Sequence, residues 1–178
     1  MNISQFILAG HSFGGYVCGM YATKYPYHVK KLLMLSPLGI PKIVENFDVG
    51  KAFKENKNPT VRKPSRCTIR VARCGYNNKC SPFGIMRCSG SCCANRLLKS
   101  FVNRRFASLP PNERELYKQY LHQTLLMGGS TEYAIFVCFN MYMFPKHALV
   151  EEDRLGGIKI PVSFFYGQYD WMSKDGCQ

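Results

Sequence analysis

The sequence predicts an α/β protein: a mostly parallel sheet flanked by helices, with a helical segment inserted between two of its strands. Three observations predict it. The first forty residues read strand, tight turn, helix, strand. A further apolar run, Ile158 to Tyr166, reads as another strand. The long stretch between them has poor periodicity, high charge and helix-start signals towards its end. Two strands joined through a helix pair in parallel by a right-handed crossover. A length of 178 residues is that of one domain, and 46% apolar against 20% charged residues describes a chain with a core.

The elements follow in order. Phe6-Ile7-Leu8-Ala9, ending at Gly10, is long enough for one buried strand. Tyr16 to Tyr25 reads as a helix stopped by Pro26. Val29 to Leu35 is the second strand, closed by Ser36-Pro37-Leu38-Gly39. From Pro41 to Asn103 only weak helical signals appear. Pro111, with Glu113 and Glu115 in the first turn, opens a helix expected to reach Met127, where Gly128-Gly129 ends it. Ser130-Thr131-Glu132 opens another, expected through Phe144 and stopped by Pro145. Its apolar residues lie on nearly all sides, which favours burial against a core, with a lipid-facing wall as the alternative. The expected division is therefore 1–40 as a strand–helix–strand part of the core, 41–155 as a basic, helical, cap-like insertion, and 156–178 as a last core strand and loop. The expectation is the middle of a domain, incomplete at both ends.

Charge and cysteine are concentrated in the same place. The net charge is +13, and residues 51–105 hold 14 of the 24 Lys and Arg with a single acid, Glu55. Such a segment attracts lipid headgroups, phosphates or nucleic acid, and a solvated loop without a partner is equally compatible with it. Few aromatics interleave (Phe53, Tyr76, Phe83, Phe101) and no recognised module occurs, which argues against nucleic acid and leaves an anionic membrane or lipid-droplet surface. No run approaches the roughly 18 apolar residues of a spanning helix. No basic region precedes the first apolar run, so a cytoplasmic location is expected, with peripheral attachment to a membrane or droplet, or a mitochondrial address, left open. Six of the nine cysteines (Cys67, Cys74, Cys80, Cys88, Cys92, Cys93) lie in this segment, which has no His. Only Cys88 and Cys92 have zinc-like spacing, so free thiols are expected, with no metal and no other cofactor.

The chemistry lies at the first turn. Gly10-His11-Ser12-Phe13-Gly14 matches G-x-S-x-G, the nucleophile elbow, in its required setting between a strand and a helix. The glycines two residues either side of Ser12 would let strand and helix approach closely. The Phe13 N–H would be an oxyanion donor. A serine needs a base and an orienting acid. Gly167-Gln168-Tyr169-Asp170 follows the last strand, so Asp170 is the expected acid and Asp175 the fallback. His11, His28, His122 and His147 all precede Asp170, whereas the expected order is Ser, acid, His. The base is therefore expected outside this chain, and His11 reads as a packing or substrate-side residue.

Leu8-Ala9-Gly10-His11-Ser12-Phe13-Gly14-Gly15-Tyr16, with Tyr25-Pro26 and His28-Val29, resembles the α/β-hydrolase lipid enzymes. Ser81-Pro82-Phe83-Gly84-Ile85-Met86-Arg87, Gly129-Ser130-Thr131-Glu132-Tyr133-Ala134 and Pro161 to Met172 are similar to one branch of them. That branch contains the N-acyl-phospholipid lysophospholipases, the plant lysophosphatidate acyltransferase/lipase and the lipid-droplet coactivator of triglyceride lipase. The resemblance covers residues 1–50 and 80–175. It implies an α/β-hydrolase fold and serine-dependent hydrolysis or acyl transfer on a (lyso)phospholipid or acylglycerol. The alternative is a non-catalytic lipid-surface protein or an inactive, truncated paralogue. The branch's His-x-x-x-x-Asp motif, associated with acyl transfer to lysophosphatidic acid, is not matched: His147 is followed by Glu152, but both precede the acid. Coactivator members lack the nucleophilic serine, so Ser12 sides with the catalytic ones.

Overall fold

Apolar alternation and two glycines shape the first unit. In the computed structural model, which describes residues 4–42, 65–128, 131–168 and 170, Phe6–His11 forms β1, Phe13–Lys24 forms α1 and Val29–Leu35 forms β2. A single 3₁₀ turn, Pro26–His28, joins α1 to β2. β1 runs two residues further than the apolar run, and α1 starts three residues earlier than Tyr16, so only Ser12 separates them. β1 and β2 are parallel, as expected, with His11 opposite Leu35.

The last strand, β3 (Val162–Phe165), is shorter than the apolar run 158–166. It pairs in parallel with β2, Leu32 opposite Val162 and Leu35 opposite Phe165, so the sheet order is β1-β2-β3. Pro161 has no N–H to donate. Its carbonyl accepts from the Leu32 N–H at 3.0 Å, which marks where the ladder begins. Val29, Leu32 and Met34 of β2 are buried. Gly15, Tyr16, Gly19 and Ala22 of α1 form its buried stripe at helical spacing.

The apolar stretch 130–144 is not one helix. Thr131–Tyr133 is a 3₁₀ turn, and a helix follows only over Ala134–Cys138. Asn140 ends it. Its side-chain carbonyl accepts from the N–H groups of Tyr142 (2.9 Å) and Phe144 (3.0 Å), and its own N–H donates to Phe144 O at 2.9 Å. This local side-chain competition with the helical ladder is typical of Asn. Met143 adopts φ 64° to close the turn. Phe139 thereby leaves the helix and is fully buried, while Val137, two residues back, is 71% exposed. Neither a buried twelve-residue helix nor a continuous apolar wall exists.

Contacts group the chain into two units, residues 1–68 with 138–178, and residues 69–137. Residues 139–155, assigned from the sequence to the insertion, belong with the sheet. The Leu149 N–H donates to Gly39 O at 2.8 Å and the Val150 N–H to Ile40 O at 3.1 Å. Leu149 lies where a side chain on Gly19 would have to sit.

Of the interval with only weak helical signals, residues 43–64 lie outside the described residues; from residue 65 onward the helices are α2 (Arg66–Asn77), α3 (Pro82–Cys88), α4 (Ser91–Arg105) and α5 (Pro111–Leu126), before the short α6 (Ala134–Cys138). α5 ends within a residue of its expected limit. The buried apolar residues of the second unit are Ala94, Leu98 and Val102, one stripe on α4. Among the described residues no helix is long and apolar enough to cross a membrane.

Candidate functional site

The elbow is held in an unusual backbone shape. Ser12 has φ 55° and ψ −122°, a conformation costing a residue with a Cβ about 1–3 kcal/mol. Three hydrogen bonds at 3.0 Å hold it: its N–H donates to Leu35 O, and its carbonyl accepts from the N–H groups of Gly15 and Leu38. The residue between strand and helix is thus held from β2, from the loop after β2 and from α1 itself.

Glycine is required here for space. A Cβ on Gly10 would lie 2.6 Å from Gly14 O and 2.8 Å from Cys18 Sγ. A Cβ on Gly15 would meet Pro37 Cβ at 2.8 Å, whereas one on Gly14 would meet nothing within 4 Å. The close approach expected from the motif spacing therefore holds at Gly10. Its second partner is Gly15 rather than Gly14.

Phe13 is the first residue of α1, so its N–H has no acceptor within the helix. No acid lies in that first turn to offset the positive end of the helix dipole. Behind the turn Phe13, Tyr16 and Phe139 pack together, with ring centroids of Tyr16 and Phe139 4.9 Å apart and edge-on. The Tyr16 hydroxyl donates to His147 O at 3.1 Å, and burial pushes its pKa up. Burial does the same to the Cys18 thiol beneath β1, an unreactive setting for it.

Parallel order brings the candidates to one edge. Ser12 follows β1 directly, and Asp170 follows β3 by five residues, both at the C-terminal ends of strands. β2 lies between, which places the two strand ends roughly 10 Å apart on a spacing of about 4.8 Å per strand. This edge is where open α/β sheets bind ligands. Asp170 is partly buried, and its N–H donates to Gly167 O at 3.2 Å. Asp175, with Trp171 and Met172, lies outside the described residues.

Of the histidines, His11 is exposed at the end of β1. His28 is at the opposite edge, its Nδ1 2.8 Å from the Tyr21 hydroxyl within a cluster of Phe6, Tyr21, Tyr25 and Tyr27. His122 lies on α5 and His147 is exposed after the Asn140 turn.

Two features of the structure went unread in the sequence. Ser36, just after β2, also has positive φ (42°), and its N–H donates to Phe165 O at 2.7 Å. The Ser36-Pro37 pair at a strand end was the available signal. In the second unit, Arg87 forms an ion pair with Glu132 and donates to the carbonyls of Leu125 (3.2 Å) and Met127 (3.3 Å). Arg87 first, and then the Ser81 hydroxyl, hold the Glu132 carboxyl below its ordinary range. The stretch 81–87 and residue Glu132, which belong to two separate sequence motifs, are thus joined by one part-buried polar cluster.

Known proteins resemble this chain in sequence. A "Probable 1-acylglycerol-3-phosphate O-acyltransferase" of Oryza sativa subsp. japonica is 30% identical over 185 residues, covering 99% of this chain and 41% of its own length. The "(Lyso)-N-acylphosphatidylethanolamine lipase" of Homo sapiens is 24% identical over 97% of this chain and 46% of its own. The "Abhydrolase domain-containing protein abhd-5.2" of Caenorhabditis elegans is 43% identical over 47 residues, 26% of this chain and 11% of its own. Over nearly its whole length the chain is homologous to proteins of these names, which is consistent with an α/β-hydrolase branch. It spans about two fifths of the length of the acyltransferases of the branch that it matches. No protein-family model matches the chain. The resemblance read from the motifs is thus borne out for the branch, and a small parallel sheet with flanking helices accords with its α/β class.

Proposed function

We propose that this chain carries the nucleophilic part of a serine-dependent lipid ester hydrolase or acyltransferase acting on a (lyso)phospholipid or acylglycerol. The observation that carries the reading is Ser12, held at φ 55° between β1 and α1 on the ligand-binding edge of a parallel sheet. Strain retained at such a point is a functional investment, since three hydrogen bonds are spent on it. The names of the acyltransferase and lipase homologues support a lipid substrate.

In this mechanism the Ser12 hydroxyl attacks the acyl carbonyl as a histidine base takes its proton. Asp170 orients that base, in the chain order Ser, acid, His. Charge developing on the carbonyl oxygen is met by the Phe13 N–H and the positive end of α1. The acyl–oxygen bond to the leaving alcohol then breaks, the histidine returns its proton to that alcohol, and the acyl group rests on Ser12 as an ester. Water takes it in hydrolysis, and the hydroxyl of a lysophospholipid takes it in transfer.

A fluorophosphonate probe tests the reading, because it labels only an activated serine. With the base-bearing segment supplied, labelling of the parent that disappears in Ser12→Ala is the expected result, with ester turnover falling by about 10⁴- to 10⁶-fold. Unchanged turnover in Ser12→Ala would sink the assignment. No labelling of either protein would favour the non-catalytic lipid-surface reading.

A further inference from the structure

Helix α2, which begins at the boundary of the two units, presents a face that the chemistry at Ser12 does not use. α2 has no buried residue. Arg66, Arg70 and Arg73 recur on it at i, i+4 and i+7, one side of the helix, and all three are exposed. Beside them lie Cys67 and Cys74, also exposed and free, and Val71 at 66% exposure. The half-buried residues are elsewhere on the wheel: Ile69 and Tyr76, the latter meeting the Phe136 ring edge-on at 5.6 Å. The outward side of α2 is therefore a row of guanidinium groups bordered by apolar and thiol side chains.

α4 repeats the combination. Leu97 and Phe101, one turn apart, are 49% and 42% exposed, and Arg104 and Arg105 follow them, also exposed. Between residues 65 and 105 there are nine Lys and Arg and no acid. Arg87 is held by Glu132, so the other eight have no acid within their own segment. Free Cys is ordinarily among the most buried residue types, so packing does not explain six exposed thiols here.

We infer that the outward face of α2 docks this protein on an anionic phospholipid bilayer. Guanidinium groups match phosphate geometry and hold it through paired donors. A helix whose cations border apolar side chains lies in the headgroup region, with Val71 and the neighbouring thiols reaching towards the acyl chains. A nucleic acid would satisfy the arginines and leave exposed Val71, Leu97 and Phe101 without a role. The inference stands apart from the Ser12 chemistry, because docking requires no turnover.

Co-sedimentation of the full chain with vesicles tests it, using phosphatidylcholine alone and equimolar phosphatidylcholine–phosphatidylglycerol. Binding should need the anionic lipid and fall as salt rises. Each cation near such a surface is worth roughly five-fold in partitioning. The triple variant Arg66→Gln, Arg70→Gln, Arg73→Gln should therefore bind about 100-fold more weakly. Its helix content, read by circular dichroism, should be unchanged because the substituted residues are exposed. A control variant, Lys30→Gln, Lys31→Gln, Lys159→Gln, removes the same charge from exposed sites of the first unit and should bind nearly as the parent. Ser12→Ala should also bind as the parent. Equal loss in the control, equal binding to neutral vesicles, or no loss in the α2 variant would each overturn the docking face. Tighter binding to an RNA duplex than to anionic vesicles, lost in the α2 variant, would overturn it in favour of nucleic acid.

Discussion

Ser12 bears a conformation that glycine would adopt without strain. Ser12→Gly should therefore stabilise the fold by the few tenths to about 2 kcal/mol by which the strain exceeds the entropic cost of glycine, and so raise the thermal midpoint modestly, while removing the nucleophile. A melting curve unchanged or lowered relative to Ser12→Ala would mean the turn is not strained. The glycines around it separate by the space they have. Gly10→Ala and Gly15→Ala drive a methyl into Gly14 O with Cys18 Sγ, or into Pro37, and should each cost about 1–3 kcal/mol. Gly14→Ala meets nothing and lies in a helix, where alanine is favoured by up to about 1 kcal/mol, so it should be neutral or stabilising. Chemical denaturation of the three variants checks the order. The motif spacing identified Gly10 and Gly14 from sequence. It could not show that the helix turns Gly14 away from the strand and presents Gly15 to it.

At the scale of elements, the helical unit depends on a few polar contacts that tie distant segments. The Ser81 hydroxyl, buried, accepts from the N–H groups of Phe83 at 3.1 Å and Gly84 at 3.3 Å and so caps α3. Ser81→Ala should cost about 1 kcal/mol. Glu132 adds a pH dependence. Its carboxyl is held below the ordinary range by Arg87, so its contribution is complete above the pKa of an unfolded Glu and is lost as pH falls through its lowered value. In Glu132→Gln the acid side of the stability profile should flatten within that window. An acid limb as steep as the parent's would show that other carboxylates set it. In the first unit, the Asn140 turn is a local polar device. Asn140→Ala removes the acceptor for two N–H groups and should destabilise the first unit by about 1–2 kcal/mol, read from the sheet's unfolding.

For the whole molecule, the two units differ in how much they bury. β2 places Val29, Leu32 and Met34 in the core of the first unit, beside Tyr16, Ala22, Leu38, Ile40, Phe139 and Leu149. Among the described residues the buried apolar side chains of the second unit are Ala94, Leu98 and Val102, and neither α2 nor α5 buries any. Local opening follows such differences. Amide exchange should therefore be slowest in β2 and α1 and faster throughout α2 and α5. Equal protection of α2 and β2 would contradict this. The same thin burial leaves the side chains of α2 free to meet a surface without breaking a core.

Local pattern alone was enough for the strand–turn–helix–strand start, because the periodicity, the stop at Pro26 and the G-x-S-x-G spacing all act within a few residues of chain. It was enough too for α5, whose start and stop signals are local, and for the placing of the basic and thiol-rich segment. Three features depended on residues far apart in the chain. Parallel pairing of β2 with β3 decided that Ser12 and Asp170 leave the same edge of the sheet. Burial of Phe139 against Phe13 and Tyr16, together with the Asn140 turn, decided that an apolar stretch with helical signals breaks after Cys138. The ion pair of Arg87 with Glu132, 45 residues apart, joined two motifs that the sequence presents separately. Propensity and spacing act along the chain, whereas the free energy of burying a ring or pairing a charge depends on what the folded chain brings beside it.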